Sequence, residues 1–424
     1  MKQVRLKEIS VFFTGNGVSS EELGQNNGGF PYFRNSDFKL QKTLKHLVNS
    51  ETNFSLDDIL SKKLRVIPKG ALVFSKVGES IRKNHKFILQ QPSIIDPNLG
   101  AIKFLKNNQN YLFWFIKSLD FNDFLIPGTV PTLDMKKLKN STIPINKIDF
   151  QTAIANYLDY YTEKIDNEIS YLEKKSSLLE EYKQSLIFET VTKGLDKSVP
   201  MKDSGIDWIG EIPAHWEVKR VKDLLKNIGG GNYGDDEDSN LPYLLPCFSI
   251  SDFKHGDLSH TEHIKMSRKY KIKNILKKDT ILLEKSGGGE KTPVGRIVIV
   301  NKDIEAYYTN FVQAVTTKFH AKYYYYILKS IHNHRLHMPF VKQNTGLQNF
   351  DYTKFSQFFY LPKLNIQEQQ QISNFLDIKT AKIDKQYGLM KRKIELLKEY
   401  KQSLIYEAVT GKIEIPQEFY KETI

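Results

Sequence analysis

The sequence predicts an α+β fold in which two mixed α/β domains are separated by two long antiparallel coiled-coil helices, as a pseudo-two-fold internal repeat. Two observations predict it. Residues 144–194 align without a gap on residues 362–412, at a constant offset of 218 and with 24 of 51 positions identical. In both copies the apolar residues recur at alternating intervals of three and four, which is typical of helices that pack along a seam.

The chain length fits this plan. A chain of 424 residues with 40% hydrophobic residues can bury two cores of ordinary size and still form an additional element. We therefore expect a first domain at 1–143, a first spacer helix at 144–196, a second domain at 197–361, a second spacer helix at 362–412 and a C-terminal tail at 413–424.

The two domains are predicted to share one β-rich fold. Short apolar runs bounded by Gly, Pro and Asn predict strands, for example ALVFS from Ala71 and TILLEK from Thr280. A weaker similarity keeps its register upstream of the strong repeat, where YLFWFIKSL from Tyr111 lies over YYYYILKSI from Tyr323. We expect these aromatic runs to belong to the cores rather than to stack on bases.

The two helices are predicted to be unusually long. About 45 residues at a rise of 1.5 Å make a rod of roughly 65 to 70 Å. Because the second domain lies between the helices in sequence, antiparallel pairing joins the copies most simply. Packing of each helix on its own domain alone is the alternative. The predicted seam residues are Ile165, Ile169, Leu172, Leu179, Tyr182 and Leu186, and in the second copy Ile383, Tyr387, Met390, Ile394, Leu397 and Leu404.

The charge favours a polyanionic partner. Lys and Arg number 62 against 49 Asp and Glu, a net charge of +13, which suits nucleic acid or an anionic membrane surface. The most apolar run, YLFWFI from Tyr111, is far shorter than the roughly 20 residues that span a bilayer. The N-terminus lacks the apolar segment of a secretory signal, and the single cysteine excludes an internal disulfide. We expect a cytoplasmic protein.

A glycine-rich loop between two predicted strands is the first candidate DNA contact. In KSGGGEKTPVGR, glycines allow a close backbone approach to a phosphate, and cations supply charge or, for arginine, two bonds to guanine. ATP binding is excluded because Glu290 stands where a nucleotide-binding loop needs glycine. A surface hairpin without a ligand is the alternative. The candidate residues are Lys285, Ser286, Gly287, Gly288, Lys291 and Arg296, and in the first domain Lys76, Arg82, Lys83 and Lys86.

An amide-rich stretch is the second candidate. In KQNTGLQNFD the residue types are those that pair with adenine edges in the major groove, although amides also stabilise loops. The corresponding stretch of the first domain, IPGTVPTLD, has hydroxyls and no amides, which predicts a different half-site. The candidates are Lys342, Gln343, Asn344, Gln348 and Asn349, and in the first domain Thr129 and Thr132.

No pattern predicts catalysis. The sequence shows no cofactor-binding turn, base-methylation motif, helicase loop or carboxylate set for a nuclease metal. The closely spaced His332, His334 and His337 have no cysteine partners, so a basic surface is favoured over a metal site. We expect a binding protein without catalytic residues or a metal.

The residues resemble one family over nearly the whole chain. The segments that carry the resemblance are GIDWIGEIPAHWEVKRVKDL from Gly205, the glycine loop with PVGRIVIV, TGLQNFD, and LNIQEQQQISNFLD running into KID at Lys382. They resemble the specificity subunits of type I restriction-modification systems. The resemblance implies two target-recognition domains, each reading one half of a bipartite asymmetric DNA site. The GIDWIGEIPAHWE opening precedes only the second domain, so we expect the first to dock differently or the sequence to start late.

The resemblance also implies partners. These are double-stranded DNA, two methyltransferase (modification) subunits docked on the helices, and motor/nuclease (restriction) subunits. S-adenosylmethionine, ATP and Mg²⁺ are then expected in the partner subunits and none on this chain. Two alternatives stay open: a coiled-coil scaffold that does not read DNA, and a stand-alone nuclease or methyltransferase. The implied partner-binding residues are Tyr182, Gln184, Leu186, Tyr400, Gln402 and Leu404.

Overall fold

The computed structural model divides the chain into two compact units. Unit 1 comprises Met1–Glu173 and Arg392–Ile424, and unit 2 comprises Lys174–Lys391. Each unit therefore contains one mixed domain and a part of both long helices. The structure describes residues 2–41, 45–105, 108–145, 147–231, 244–249, 265–268, 276–290, 292–304, 306–344 and 346–420.

Unit 1 begins with short strands and helices, as its alternating apolar runs predict. The strands are β1 (Lys2–Arg5), β2 (Ser10–Thr14), β3 (Phe30–Phe33), β4 (His46–Leu47), β5 (Thr52–Phe54), β6 (Leu72–Ser75), β7 (Lys86–Leu89), β8 (Ile94–Ile95), β9 (Leu99–Phe104), β10 (Leu125–Ile126), β11 (Thr132–Leu133) and β12 (Thr142–Ile145). The helices are α1 (Leu6–Ile9), α2 (Leu56–Lys62), α3 (Gln109–Ser118) and α4 (Met135–Asn140).

A five-stranded sheet of order β2-β9-β6-β7-β4 forms the centre of unit 1. Its strands are antiparallel except for the parallel pair of β4 and β7. A second sheet has the order β5-β3-β8, and β1 pairs with β12. The aromatic run of α3 is buried against this core, so the prediction that it is core rather than a stacking surface is confirmed.

The domain of unit 2 lies in sequence between the first long helix, α5 (Ile148–Lys193), and the second, α9 (Ile366–Thr410). Its strands are β13 (Met201–Asp203), β14 (Glu211–Pro213), β15 (Glu217–Arg220), β16 (Lys226–Gly230), β17 (Leu244–Phe248), β18 (Lys265–Arg268), β19 (Ile281–Glu284), β20 (Ser286–Gly287), β21 (Ile297–Ile299), β22 (Tyr307–Tyr308), β23 (Val312–Thr316), β24 (Val341–Asn344), β25 (Leu347–Phe350) and β26 (Tyr360–Lys363). The shorter helices are α6 (Val221–Leu224), α7 (Ala321–Asn333) and α8 (Tyr352–Phe358).

The sheets of unit 2 repeat the strand order of unit 1. The sheet β16-β23-β19-β21 corresponds to β2-β9-β6-β7, and β18-β17-β22 corresponds to β5-β3-β8. In both smaller sheets the last pair is parallel. The strands β15 and β26 pair as β1 and β12 do. The predicted fold class, two mixed α/β domains with a duplicated pair of long helices, is confirmed.

Within each unit the segments of the two long helices run antiparallel. From Asp166 to Glu173 the contacting residue on α9 changes from Lys401 to Lys398, and from Ser176 to Lys183 it changes from Met390 to Asp384, so the two helices run in opposite directions. In unit 1 the contacts are Asp166 with Lys401, Glu168 with Lys393 and Glu173 with Lys398, and in unit 2 they are Ser176 with Met390 and Lys183 with Asp384. The helix segments share one core with the domain of their own unit, so both predicted packing modes occur together.

Several contacts in the two units are copies of each other. Lys401 pairs with Asp166 in unit 1 and Lys183 pairs with Asp384 in unit 2, and both lysine side chains are largely buried. Each of these residues lies 218 positions from its counterpart. Likewise the Tyr323 hydroxyl donates to the carbonyl of Val191 at 3.0 Å, and the Tyr111 hydroxyl, which donates to the carbonyl of Pro144 at 2.7 Å, lies 3.4 Å from that of Val409.

Five of the predicted seam residues are buried, including Ile383 and Leu404 of the second copy, and the prediction is wrong at two positions. Ile165, Ile169 and Leu172 are buried, whereas Tyr182 and Tyr387 are about half exposed. An α-helix drifts by about 20° per heptad against a strict heptad pattern, so a seam extrapolated over many turns leaves the interface. Lys183, one residue after Tyr182, is the buried residue at that level.

The C-terminal segment belongs to unit 1. Ile415 is buried in the unit 1 core, and the Phe419 ring packs against those of Tyr157 and Tyr161. The tripeptide Glu-Ile-Pro at 414–416 also occurs at 211–213 in unit 2, where the isoleucine is again buried. The segment GIDWIGEIPAHWE, which precedes only the second domain, thus shares a tripeptide with the segment that follows the second long helix.

No helix within the described part of the chain has both the length and the apolar character needed to cross a membrane.

Candidate nucleic-acid interface

The two candidate stretches of the second domain meet in one sheet. Strands β20, β25 and β24 form a three-stranded antiparallel sheet, in which Ser286 pairs with Asn349 and Gln343 pairs with Gln348. The Ser286 hydroxyl also donates to Oδ1 of Asn349 at 2.6 Å. The glycine loop (residues 285–296) and the amide stretch (341–351), which are distant in sequence, therefore form one surface, which we call edge 2.

The corresponding stretches of the first domain meet in the same way. The N–H of Gly78 donates to the carbonyl of Pro131 at 2.8 Å, and Val77 forms an isolated bridge with Thr132. The N–H of Leu133 donates to the carbonyl of Lys76 at 2.9 Å, as the N–H of Phe350 donates to that of Lys285 at 2.8 Å in unit 2. We call the surface formed by residues 76–83 and 126–134 edge 1.

An aspartate fixes the end of each edge. Asp134 is the N-cap of α4 and accepts from the N–H of Lys137 at 2.9 Å, and Asp351 is the N-cap of α8 and accepts from the N–H of Lys354 at 3.0 Å. A capping aspartate satisfies a free N–H of the first helical turn and typically stabilises the helix by about 1 kcal/mol. Each edge therefore ends at the capped N-terminus of a helix, α4 for edge 1 and α8 for edge 2.

Edge 2 exposes cationic and amide side chains. Lys285, Lys342, Gln343 and Asn349 are exposed, and the Lys342 ammonium lies 3.5 Å from Asp351 in an ion pair open to solvent. Ammonium groups suit phosphate oxygens, and amide groups can form two bonds to an adenine edge. The exposed chemistry of this edge is that of a nucleic-acid contact.

Edge 1 exposes a different set. Arg82, Lys83 and Thr129 are exposed, while Lys76 and Thr132 are partly buried. Arg82 Nε lies 3.0 Å from Oε2 of Glu79 in a solvent-exposed pair, an interaction that contributes little to stability. Burial lowers the pKa of the Lys76 ammonium. Edge 1 therefore presents cations and hydroxyls, with no exposed amide at the positions where edge 2 has them.

The structure contradicts two predicted DNA contacts. The Lys86 ammonium is buried in unit 1, where it donates to the carbonyl of Leu119 at 2.6 Å and to Oδ1 of Asn84 at 2.8 Å. Burial places the pKa of Lys86 well below its usual range. Gln348 is also buried, and its Oε1 accepts from the N–H of Val294. Lys291 and the side chain of Asn344 lie outside the described residues.

Two glycines of the loop are needed for close packing inside edge 2. A Cβ on Gly288, which has a φ of +66°, would lie 2.4 Å from the backbone nitrogen of Val294. A Cβ on Gly295, with a φ of +107°, would lie 3.0 Å from the imidazole of His337. Gly288 was predicted to allow the close approach of a phosphate, and the structure gives it a packing role within the loop.

Two histidines brace the same loop. Nε2 of His337 lies 2.7 Å from the carbonyl oxygen of Val294, and Nε2 of His332 lies 3.2 Å from that of Pro293. Their rings stack with centroids 5.1 Å apart. Burial lowers the pKa of His337 to about 4 and also lowers that of His332, so both are neutral donors at neutral pH. The expectation of a basic histidine surface is wrong for these two residues.

A buried ion pair, which was not predicted from the sequence, joins the two sides of the loop. Glu284 is fully buried at the end of β19, and its carboxylate accepts from Nε of Arg296 at 2.8 Å and from Nη2 at 3.1 Å. The signal in the sequence was an acidic residue closing an otherwise apolar strand. In unit 1 the equivalent residue is Ser75, whose hydroxyl donates to Oδ1 of Asn35 at 2.5 Å.

The predicted partner-binding residues divide by exposure. Tyr182 and Tyr400 are 55% and 54% exposed, and Gln402 is exposed as well. Leu404 is buried in the unit 1 core, which contradicts its prediction as a docking residue. Within the described residues, no group of His, Cys, Asp and Glu could hold a metal ion.

Comparison with known proteins places these features in a family. A family model described as the type I restriction modification DNA specificity domain matches residues 1–174 and 213–399. The chain is 25% identical over 319 residues to the type I restriction enzyme MjaIX specificity subunit of Methanocaldococcus jannaschii, covering 70% of this chain and 68% of that protein. It is 23% identical over 335 residues to the EcoBI specificity subunit of Escherichia coli, covering 74% and 64%.

Solved structures share the fold. A chain from a study of complex assembly and conformational transition of the type I R-M system superposes with a TM-score of 0.72 at 16% identity, covering 97% of this chain and 98% of that one. The HsdS subunit from Thermoanaerobacter tengcongensis superposes with a TM-score of 0.53 at 18% identity, covering 97% of both chains.

Proposed function

The chain belongs to the family of type I restriction-modification DNA specificity subunits, and from this premise we propose that edge 1 and edge 2 each read one half of a bipartite asymmetric DNA site. Members of this family are the DNA-recognition subunits of methyltransferase and endonuclease complexes and are not themselves enzymes. The family match supports a DNA reader and does not support a scaffold without DNA specificity. We assign the two target-recognition domains to residues 1–143 and 197–361, and the spacers to 144–196 and 362–412.

One observation carries the assignment of the edges. In unit 2 the glycine loop lies beside the amide stretch, and in unit 1 the two stretches that correspond to them lie side by side at the same place in the sheet topology. The backbone contacts there are equivalent, while the exposed side chains differ. Since backbone placement positions a reader and side chains at the groove specify the sequence, equivalent placement with different side chains suits two half-sites of different sequence.

The exposed groups divide into two roles. On edge 2 we assign Lys285 and Lys342 to phosphates, and Gln343 and Asn349 to base edges. On edge 1 we assign Arg82 and Lys83 to phosphates, and Thr129 to a base. The partly buried Lys76, Thr132 and Ser286 support the two edges from within.

Methylation mapping tests this function. The chain is expressed in cells together with a type I methyltransferase partner, and the methylated motif is read by whole-genome detection of modified bases. We expect one bipartite motif. The variant Asn349→Ala should relax one half of that motif, and the matched variant Thr129→Ala should relax only the other half. A methylated motif that does not depend on this chain would overturn the proposal.

A duplicated exposed surface supports docking of two copies of one partner. Leu396 and Tyr400 lie one helical turn apart on α9 in unit 1, and Leu178 and Tyr182 do so on α5 in unit 2. All four are about half exposed, and each pair is 218 residues from the other. Exposed apolar groups that recur at equivalent positions are typical of interaction sites. We propose that each unit docks one methyltransferase subunit here.

The wider complex follows from this docking. Motor/nuclease subunits would join the methyltransferase assembly in the cytoplasm, and S-adenosylmethionine, ATP and Mg²⁺ would be bound by the partner subunits. Docking is tested by the stoichiometry of the purified complex. Tyr182→Ala or Tyr400→Ala alone should leave one methyltransferase subunit per chain, and the double variant none. Tyr387→Ala is the control, because Tyr387 is exposed but its counterpart Ile169 is buried; two bound subunits in the double variant would contradict the docking site.

A further inference from the structure

The ion pair of Arg296 and Glu284 defines how the guanidinium group is presented. Oε2 of Glu284 accepts from Nε and Oε1 accepts from Nη2, so the carboxylate occupies one side of the planar group. The Glu284 side chain is fully buried, whereas a quarter of the Arg296 side chain is exposed. The carboxylate thus holds the inner side of the guanidinium and leaves its outer side toward solvent.

The outer side keeps a pair of donors. A guanidinium has five N–H groups, and Glu284 uses the one on Nε and one of the two on Nη2. The remaining Nη2–H and the nearer Nη1–H point outward in parallel. Among the described residues the guanidinium has no further hydrogen-bond partner. Two parallel donors match an acceptor pair, as in bidentate arginine contacts.

The backbone at Arg296 is fixed as well. Its N–H donates to Oε2 of Glu284 at 3.3 Å, the carbonyls of Pro293 and Val294 just before it accept from His332 and His337, and Gly295 packs against the His337 ring. The N–H of Val294 is held by the buried Gln348. A side chain whose backbone and inner edge are both fixed loses little conformational entropy on binding, so the outer edge is preorganised.

Among the four bases, only guanine offers two neighbouring acceptors in the major groove, O6 and N7. Adenine and cytosine present an amino donor, and thymine presents one acceptor. We propose that the second half-site contains a guanine that Arg296 reads with its outer edge, and that Glu284 is the positioning residue that presents this edge. The inference rests on the proposed function that edge 2 reads DNA. In unit 1, Ser75 and His85 occupy the equivalent strand positions, so the first half-site has no such reader.

The test uses DNA in which single guanine N7 atoms are removed. The chain, assembled with its methyltransferase partner, binds duplexes carrying the mapped motif, with each guanine of the second half-site replaced in turn by 7-deazaguanine. At one position the wild type should lose a part of the roughly 5- to 150-fold in affinity that a full bidentate base contact supplies, because 7-deazaguanine keeps the O6 acceptor. In Arg296→Ala the same replacement should have no further effect.

Glu284→Gln tests the positioning role. The amide keeps the shape of the side chain but removes the charge that holds the guanidinium, so the loss from 7-deazaguanine at that one position should shrink. Scrambling the first half-site should lower the affinity of the variant by the same factor as it lowers that of the wild type. A merely structural defect would instead weaken both half-sites and lower the melting temperature.

The outcomes separate the possible ligands. If Arg296 instead grips a phosphate, Arg296→Ala weakens binding but no 7-deazaguanine replacement affects the wild type, and the inference is overturned. A second half-site without guanine overturns it as well. In both cases a bipartite motif leaves the proposed function standing, whereas absence of any bipartite motif would overturn the proposed function itself.

Discussion

The long-helix segments and the reading edges of the two units contrast sharply. Along the helices, contacts recur pair for pair, as Lys401 with Asp166 and Lys183 with Asp384 show. At the edges the backbone pairing recurs, but Glu284 and Arg296 of edge 2 have Ser75 and His85 in their places in unit 1. The two units thus carry equivalent contacts along the helices and different side chains at the edges, which suits the proposal of one kind of partner and two half-sites of different sequence.

The two regions also differ in the kind of hydrogen bond that they use. Tyr111 and Tyr323 donate to backbone carbonyls, so any sequence that keeps the backbone in place keeps the acceptors. The bond between Glu284 and Arg296 is between side chains, and it disappears when either residue changes. Because Glu284 is fully buried, such a pair can be exchanged only when both partners change together, since removing one would leave a buried group unpaired.

Among the variants that distinguish the two units, Gly288→Ala should have the largest effect on stability. The new Cβ would clash with the backbone nitrogen of Val294, at a residue with a positive φ, and we expect a cost of about 2 to 4 kcal/mol in edge 2. Denaturant unfolding measures the loss, and methylation mapping should show that only the second half of the motif is relaxed. Gly289→Ala is the control, since its Cβ would meet no atom within 4 Å. Equal costs for the two variants would refute the packing role of Gly288.

The next effect is a pH dependence specific to edge 2. Because the pKa of folded His337 is about 4, below the unfolded value near 6.5, the unfolded state binds more protons between these values. Stability is therefore full above pH 6.5 and falls as pH drops toward 4, by about 2 to 3 kcal/mol. Denaturant unfolding at pH 7.5 and pH 4.5 measures the fall.

His337→Gln isolates this contribution from those of other histidines. Its amide N–H can still donate to the carbonyl of Val294, but it does not titrate. The pH dependence of the free energy of unfolding should be shallower in the variant. An unchanged slope would show that the titration of His337 is not coupled to folding.

Removing either of the two equivalent tyrosine hydroxyls should lower the stability by a smaller amount, and by the same amount in both units. Tyr111→Phe and Tyr323→Phe each remove one buried hydroxyl that donates to a backbone carbonyl, for an expected loss of about 1 kcal/mol each. Tyr352→Phe is the control, because the Tyr352 hydroxyl is buried without a partner among the described residues and its loss should cost nothing. Clearly unequal losses for Tyr111 and Tyr323 would break the equivalence of the two units.

The smallest effect should come from the repeated ion pairs. Asp166→Asn and Asp384→Asn each remove one charge from a partly exposed pair, with an expected loss of about 0.5 to 1 kcal/mol in each unit. Higher salt should reduce the difference from the wild type. Glu173→Gln, which breaks an exposed pair without a counterpart in the other unit, should have no measurable effect.

The sequence predicted what depends on local pattern. The repeat at a fixed offset identified both long helices, and the residue types of two separate stretches identified the segments that meet in edge 2. It did not predict which side chains face inward. Lys86 lies on β7, where all four residues are buried, so no alternation of polar and apolar residues marked its ammonium as internal.

Other features depend on how the chain turns after an element ends. Arg335 has a φ of +57° after α7, and this turn brings His337 back over His332 and onto the glycine loop. Nothing in the local sequence HNHRLH distinguishes such a brace from a basic surface. Tyr182 was assigned both to the seam and to partner binding, and its exposure contradicts the seam assignment, since the drift of a long helix against its seam follows from the partner helix.

The most direct test of two independent readers is a binding measurement with four duplexes. They carry the mapped site intact, scrambled in the first half, scrambled in the second half, or scrambled in both. The assembled wild type should lose affinity when either half is scrambled. A chain with Gln343→Ala and Asn349→Ala should become insensitive to scrambling of the second half and still discriminate the first. Equal loss of discrimination at both halves, or none at either, would contradict the account.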